Sequence, residues 1–252
     1  MDVTLLGTGT AMPSPDRVQS GTLVRTAGRT VLVDCGSGVV HRLACAGVDH
    51  RAVDAVLVTH HHLDHVADLP TLAKARWLDG QESLEVVGPP GIAEVCRHLL
   101  AVDRLGERVD LTVTERTLAD APFAVGGVSV DAAGTTHSKP GFAYRFGDAL
   151  ALSGDTEPAP DVFDLADGVD TLVHECSYPD SAGTEGHTTP TELGRRLAEI
   201  AVERVYLTHL FPEAERATEE IRRTVARATD AEVSIATDLA AFEIPEAGGS
   251  VS

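Results

Sequence analysis

Short aliphatic runs broken by glycine, proline and charged turns open the chain. Residues 3–6, 22–25 and 30–34 are such runs, punctuated by Gly7-Thr8-Gly9-Thr10 and Pro13-Ser14-Pro15-Asp16, and each predicts a strand. Residues 38–47 carry a helical spacing that stops at Gly47. Val53-Asp54-Ala55-Val56-Leu57-Val58-Thr59 then predicts a strand buried mainly on one face, and it runs straight into a histidine cluster. Beyond it the pattern predicts a helix over 69–78, a strand over 84–87, and a helix that leaves the Gly88-Pro89-Pro90-Gly91 turn and reaches Leu100. Strands fit 110–114, 128–132, 142–146 and 149–152, then a helix 190–201 and a strand 204–208. A last helix, 214–228, leads to a strand over 232–236. Strand-rich halves with interleaved helices predict a layered α/β sandwich. With no repeat, low-complexity tract or long linker, one domain over residues 1–244 is expected, with a frayed tail from 245 to 252.

Composition narrows the class. The 252 residues, 43% hydrophobic and 23% charged, are ordinary for a globular chain, so disordered and fibrous classes are excluded. No apolar run approaches the roughly 20 residues of a membrane helix, and the N-terminus lacks a basic head with an apolar stretch behind it. A cytoplasmic protein is therefore expected. Cys35, Cys45, Cys96 and Cys176 are scattered and read as reduced thiols, not as a disulfide framework or thiolate zinc site. The net charge of −19 repels nucleic-acid phosphate over most of the surface. Only Lys74 and Lys139 are lysines, and an acidic, lysine-poor surface suits a salt-rich cytoplasm, so a halophilic source is expected. Aromatic residues make up 4% of the chain, which leaves few stacking platforms for bases; Trp77 and Tyr178 are expected near the cleft.

The chemistry concentrates in Thr59-His60-His61-His62-Leu63-Asp64-His65. Four histidines and an aspartate at this density are expensive to bury without partners, and no strand or helix period explains them. Imidazole nitrogen and carboxylate oxygen suit zinc or another divalent transition metal. A loop that turns alternate side chains inward would let His60 and His62 hold one ion while Asp64 and His65 reach a second.

This T-H-x-H-x-D-H segment after a buried strand resembles the signature of the metallo-β-lactamase superfamily, whose fold is a four-layer αββα sandwich with a dinuclear site. The resemblance implies three later ligands: His137 in Thr135-Thr136-His137-Ser138, Asp155 in Ser153-Gly154-Asp155-Thr156, and His209 in Leu207-Thr208-His209. It places His60, His62 and His137 on one ion, Asp64, His65 and His209 on the other, and Asp155 between them. Two such ions, roughly 3.5–4 Å apart, hold a hydroxide and clamp substrate oxygens. Zinc is the first expectation, with manganese and iron as alternatives. His61 takes no metal, and His41, His50 and His98 read as ordinary histidines without partners.

Local sequence points to one branch. Gly7-Thr8-Gly9-Thr10-Ala11-Met12-Pro13 with Arg17, and His137-Ser138-Lys139-Pro140-Gly141-Phe142, are similar to ribonuclease Z, the tRNA 3′-end endonuclease. His174-Glu175-Cys176-Ser177 and His187-Thr188-Thr189 resemble its His-Glu-Ala-Thr and His-Ser-Thr motifs. The resemblance implies His187 as general acid, Glu175 as the carboxylate that orients it, and Asp64 as an assisting base. Two features depart from the family. Ala67 replaces a glycine, and Asp155 follows His137 by only 18 positions, too few for the basic tRNA-binding arm. The expectation is a ribonuclease Z-like phosphodiesterase, acting on RNA or tRNA or on a small cyclic phosphate, with a homodimer as the family's habit. A carboxylic ester, lactone or β-lactam hydrolase of the same fold is the alternative, and a metal-free binding module ranks last.

Overall fold

The computed structural model describes residues 1–182 and 185–245. The chain opens with an antiparallel meander, β1 (Asp2–Gly7), β2 (Gly21–Thr26) and β3 (Arg29–Val33), followed by α1 (Val39–Cys45). β4 (Ala55–Leu57), α2 (Leu63–Val66), α3 (Leu69–Leu78), β5 (Ser83–Gly88), α4 (Ile92–Ala101) and β6 (Asp110–Glu115) continue it, with β3 to β6 parallel. β7 (Phe123–Val125), β8 (Val128–Gly134), β9 (Phe142–Phe146) and β10 (Leu150–Leu152) start a second sheet in antiparallel fashion. After α5 (Pro160–Ala166), the strands β11 (Val169–Glu175), β12 (Val202–Thr208) and β13 (Glu232–Ile235) extend it in parallel. They are separated by α6 (Pro190–Leu197), α7 (Pro212–Glu215) and α8 (Thr218–Ala226), and β14 (Ala240–Glu243) returns to pair with β1.

The sheets therefore run β14-β1-β2-β3-β4-β5-β6 and β13-β12-β11-β10-β9-β8-β7. Alternation along the strands separates two faces. Val31 and Val33 of β3 and Ala55 and Leu57 of β4 join Tyr144, Phe146 and Leu150 in the core between the sheets. Leu32 and Val56 point the other way, against Leu43, Leu72 and Ile92 of the outer helices. On the second sheet Leu172, Val205 and Leu207 pack on Leu193, Ile221 and Val225 of α6 and α8. This is the αββα sandwich expected from the sequence.

Two elements differ from their sequence reading, and β11 is among those that have no counterpart in it. The strand expected over 53–59 stops at Leu57, and the Thr59 amide leaves the ladder for the Asp34 carboxylate, 2.8 Å away. The helix expected over 214–228 is broken at Ala217, whose backbone (φ −120°, ψ 18°) separates α7 from α8. β11 has no clean apolar pattern because Thr171, His174 and Glu175 are buried along with its valines and leucine. The tail expected to fray lies, beyond Pro245, outside the described residues.

Candidate metal centre and active site

The chemistry sits beyond the carboxyl ends of the parallel strands, where backbone groups and loops converge and open sheets commonly bind ligands. His60 and His62 follow β4, and Asp64 and His65 form the single turn α2. From the second sheet come His137 after β8, Asp155 after β10, Glu175 at the end of β11, and His209 after β12. Asp34 (φ 61°) and His209 (φ 55°) both hold left-handed backbone, a strained state for these residues that is maintained by the surrounding packing. Gly154 shows why the residue before Asp155 is glycine. Its φ is 59°, and an added Cβ would stand 3.1 Å from the Thr59 side chain.

Seven sequence-predicted ligands meet in this space. His60, His62 and His137 form one close group; Asp64, His65 and His209 form another. His62 Nδ1 is 2.9 Å from His60 Nε2 and 3.1 Å from His137 Nε2. Asp155 Oδ2 reaches both groups, at 3.7 Å from His60 Nε2, 3.4 Å from His65 Nε2 and 3.3 Å from His209 Nε2.

The outer hydrogen bonds fix what these rings offer. His65 Nδ1–H donates to Asp34 at 2.7 Å, His137 Nδ1–H to the Gly186 carbonyl at 2.7 Å, and His209 Nδ1–H to Ser177 at 3.0 Å. With Nδ1 protonated in all three, each Nε2 turns a lone pair inward, alongside two carboxylates. His65 Nε2 is buried without a hydrogen-bond partner. A buried convergence of lone pairs and carboxylate oxygens is stable only around positive charge, so the donor set fits divalent ions.

Titration follows the same logic. Burial lowers the His60 imidazole, and the neighbouring histidines add to that, so it stays neutral and able to ligate. Burial opposes protonation of His65 as well, but the charges of Asp155 and Asp34 outweigh it and push the ring well above its ordinary value.

His187 stands beside this centre, its ring 5.0 Å from that of His137 and 5.6 Å from that of His209. Glu175 accepts its Nδ1–H at 3.1 Å. Burial lowers the His187 imidazole, yet that hydrogen bond and the Glu175 charge, with Asp155 and Asp64 behind them, hold it above the ordinary histidine range. Glu175 is itself a hub. Oε1 also accepts from the amides of Thr156 (3.2 Å) and Thr188 (3.0 Å), and Oε2 from the amide (3.0 Å) and hydroxyl (2.6 Å) of Ser177.

Comparison with known proteins agrees with this geometry. The family described as anti-Pycsar protein Apyc1 matches residues 1–228. The ribonuclease Z of Mycolicibacterium paratuberculosis is 34% identical, with 90% of this chain and 91% of that protein covered. The chain belongs to the Apyc1 family and to the ribonuclease Z-like branch of the metallo-β-lactamase superfamily. Its fold matches the metallo-β-lactamase fold protein YhfI of Bacillus subtilis, with a TM-score of 0.81, 24% identity, and 96% and 98% of the two chains covered. The short form of human tRNase Z has a TM-score of 0.77 at 24% identity, with 98% of this chain and 100% of that one covered. The alignment with the mycobacterial ribonuclease Z spans 257 residues, more than this chain possesses, so that relative carries segments without a counterpart here.

Within this ribonuclease Z-like frame the 18-residue interval from His137 to Asp155 holds only β9, β10 and their turns. The cleft over the centre has a volume of about 890 Å³ and is walled by Tyr178, Phe211, Glu157, Glu185 and Leu63 around the histidines. No lysine or arginine is among its described lining residues. Tyr178 stacks on Phe211 with ring centroids 4.5 Å apart, as a cleft position predicts. Trp77 is elsewhere: it packs with Ala73, Leu100 and Leu105 and carries Lys74 and Arg108 over its ring.

Sequence reasoning missed Asp34, Ser177 and Glu157. Asp34 closes a buried strand, and an acid at the end of an apolar run is the signal that could have found it. Ser177 lies inside a quoted motif, and only its position in three dimensions shows its contacts. Glu157 accepts the Gly186 amide at 2.9 Å and so holds the loop that braces His137. Among the described residues, His61 enters none of the close donor groups. The histidines read as ordinary make local contacts: His50 lies 2.9 Å from Asp79, His41 approaches the Cys45 sulfur at 3.5 Å, and His98 meets Arg97 at 3.0 Å.

Proposed function

We propose that the protein is a metal-dependent phosphodiesterase that takes a small ester, a cyclic phosphate being the best candidate. One observation carries the reading: two groups of inward-facing donors, bridged by Asp155, adjoin a histidine hydrogen-bonded to a buried glutamate. His60, His62 and His137 would hold one ion and Asp64, His65 and His209 the other. Bound ions would supply Lewis-acid activation of water and of the phosphoryl oxygens. His187 donates its Nε2 proton to the departing alkoxide, and Glu175 keeps the imidazole oriented and charged for that step. Asp64, in contact with the second group of donors, assists in taking the proton of the attacking water.

Three features support a small substrate over tRNA: the short 137–155 interval, the cleft without basic lining residues, and the net charge of −19. Cleavage of tRNA is the second reading and rests on the ribonuclease Z relatives. A lactone or β-lactam leaves less for His187 to do, so carbon-ester hydrolysis ranks below both. Zinc fits the nitrogen and oxygen donors, as manganese or iron would. A cytoplasmic homodimer from a salt-rich cell completes the proposal; among the described residues no helix is long and apolar enough to cross a membrane.

The test is turnover of metal-quantified protein on bis(p-nitrophenyl) phosphate, a cyclic nucleoside phosphate and a 3′-extended tRNA, at low and molar salt. A lactone and a β-lactam serve as controls. Faster turnover of the cyclic phosphate than of tRNA supports the proposal. Activity confined to the controls refutes it.

A further inference from the structure

We propose that the Ser177 hydroxyl is a positioning group that holds a proton on Nδ1 of both His209 and His187, and so ties occupancy of the second ion site to the orientation of the proton donor. The proposal rests on the reading of this centre as a two-ion site.

Ser177 follows β11 and is fully buried. Its oxygen has three partners: Glu175 Oε2 at 2.6 Å, His209 Nδ1 at 3.0 Å and His187 Nδ1 at 3.2 Å. A hydroxyl has one hydrogen and two lone pairs. Glu175 can only accept, and its short contact takes the hydrogen. Both lone pairs then face imidazole nitrogens, which must be donors. His209 is thereby protonated on Nδ1 and turns its Nε2 lone pair toward Asp64 and Asp155, 3.4 and 3.3 Å away. His187 is protonated on Nδ1 too, shared between Ser177 and Glu175 Oε1, which leaves Nε2 facing the cleft.

The opposite arrangement would cost the Ser177–Glu175 hydrogen bond and would be incompatible with an ion at His209 Nε2. With His209 protonated on Nε2, its hydrogen would occupy the second ion's place and its Nδ1 lone pair would face the Ser177 lone pairs. The same oxygen therefore keeps Nδ1–H on both rings, which leaves His209 Nε2 free to ligate and makes Nε2 the position at which a cationic His187 carries its transferable proton. When an ion draws on His209 Nε2, the Nδ1–H becomes more acidic and its bond to Ser177 strengthens. That in turn polarises the hydroxyl toward Glu175, the partner of His187.

The test uses the full chain and the variant Ser177→Ala. Chelator-buffered zinc titration should show first-ion affinity within about threefold of wild type and second-ion affinity ten- to a hundredfold weaker, the usual effect of losing an outer partner of a ligating histidine. Long-range proton–nitrogen spectra of histidine-labelled, zinc-loaded wild type should show Nδ1–H on both rings, with His209 losing that pure state in the variant. Ser177→Thr, which keeps a hydroxyl, should restore both readouts. Equal weakening of both ions in Ser177→Ala would mean a general structural role, and unchanged second-ion affinity or an Nε2–H His209 in wild type would equally overturn the proposal. Wild-type protein that binds no second ion would refute the two-ion reading itself, a result distinct from all of these.

Discussion

Glu175→Gln is the sharpest isosteric perturbation that this centre offers. The substitution changes no volume but turns one carboxylate oxygen into an NH2 donor. Oε1 faces three N–H groups, those of Thr156, Thr188 and His187. Oε2 faces the Ser177 amide and a hydroxyl that can rotate. The less costly choice puts the amide nitrogen at Oε2, where it opposes one buried backbone N–H and forces the hydroxyl to reverse. An unpaired buried donor costs about 1–3 kcal/mol, and the remaining bonds lose their charge assistance; relief of the buried charge offsets part of this. The net loss should be about 2–3 kcal/mol, a fall of roughly 4–12 °C in melting temperature for a chain of this size. Calorimetry of the ion-loaded variant checks it. Hydrolysis of an ester with a poor leaving group should fall about a hundredfold, because His187 loses the charge that keeps it protonated. The p-nitrophenyl ester, whose leaving group needs no proton, should lose far less. A variant within 1 kcal/mol of wild type, with both esters equally affected, would refute the accounting.

Asp155→Ala should lose the ligand shared by both groups and with it all turnover, while His187→Ala should keep its metal, by elemental analysis, and slow poor-leaving-group esters about a hundredfold. In chelated protein His65 is raised above its unfolded value, so its contribution to stability is complete below about pH 6.5 and disappears as pH rises through the raised value. The ion-loaded protein does not depend on that proton, so the melting-temperature gap between loaded and chelated forms should widen with rising pH. A constant gap from pH 6 to 9 would count against it. Arg76 is buried in the first half and donates to the carbonyls of His50, Arg51, Val53 and Ser83 at 2.9 to 3.1 Å. Arg76→Met should cost about 2–4 kcal/mol in urea unfolding and leave zinc affinity unchanged.

The candidate donors that the structure brings together were legible in the sequence because they follow strands, and burial of so many polar groups needs a reason. Asp155 and His209 stand alone in sequence and gain meaning only from the ordered set. Arg76 was not legible at all, since a helix-face arginine reads as solvated until the turn at residues 50–53 is folded against it. Ser177 was equally silent: a hydroxyl's role depends on which rings three loops bring within 3.2 Å. β11 escaped because its buried polar residues serve the centre and interrupt the apolar period.

The candidate ligands are divided between the two sheets. His60, His62, Asp64 and His65 belong to the first, and His137, Asp155 and His209 to the second. Each ion would then act as a rivet through the seam of the sandwich, and neither half alone would hold a complete donor set. The Tyr144 hydroxyl, donated across that seam to the Val58 carbonyl at 2.7 Å, aligns the halves just behind His60. Competence for chemistry thus becomes a gauge of alignment: a slip of one sheet against the other would separate the two sets of donors before it unfolded either half.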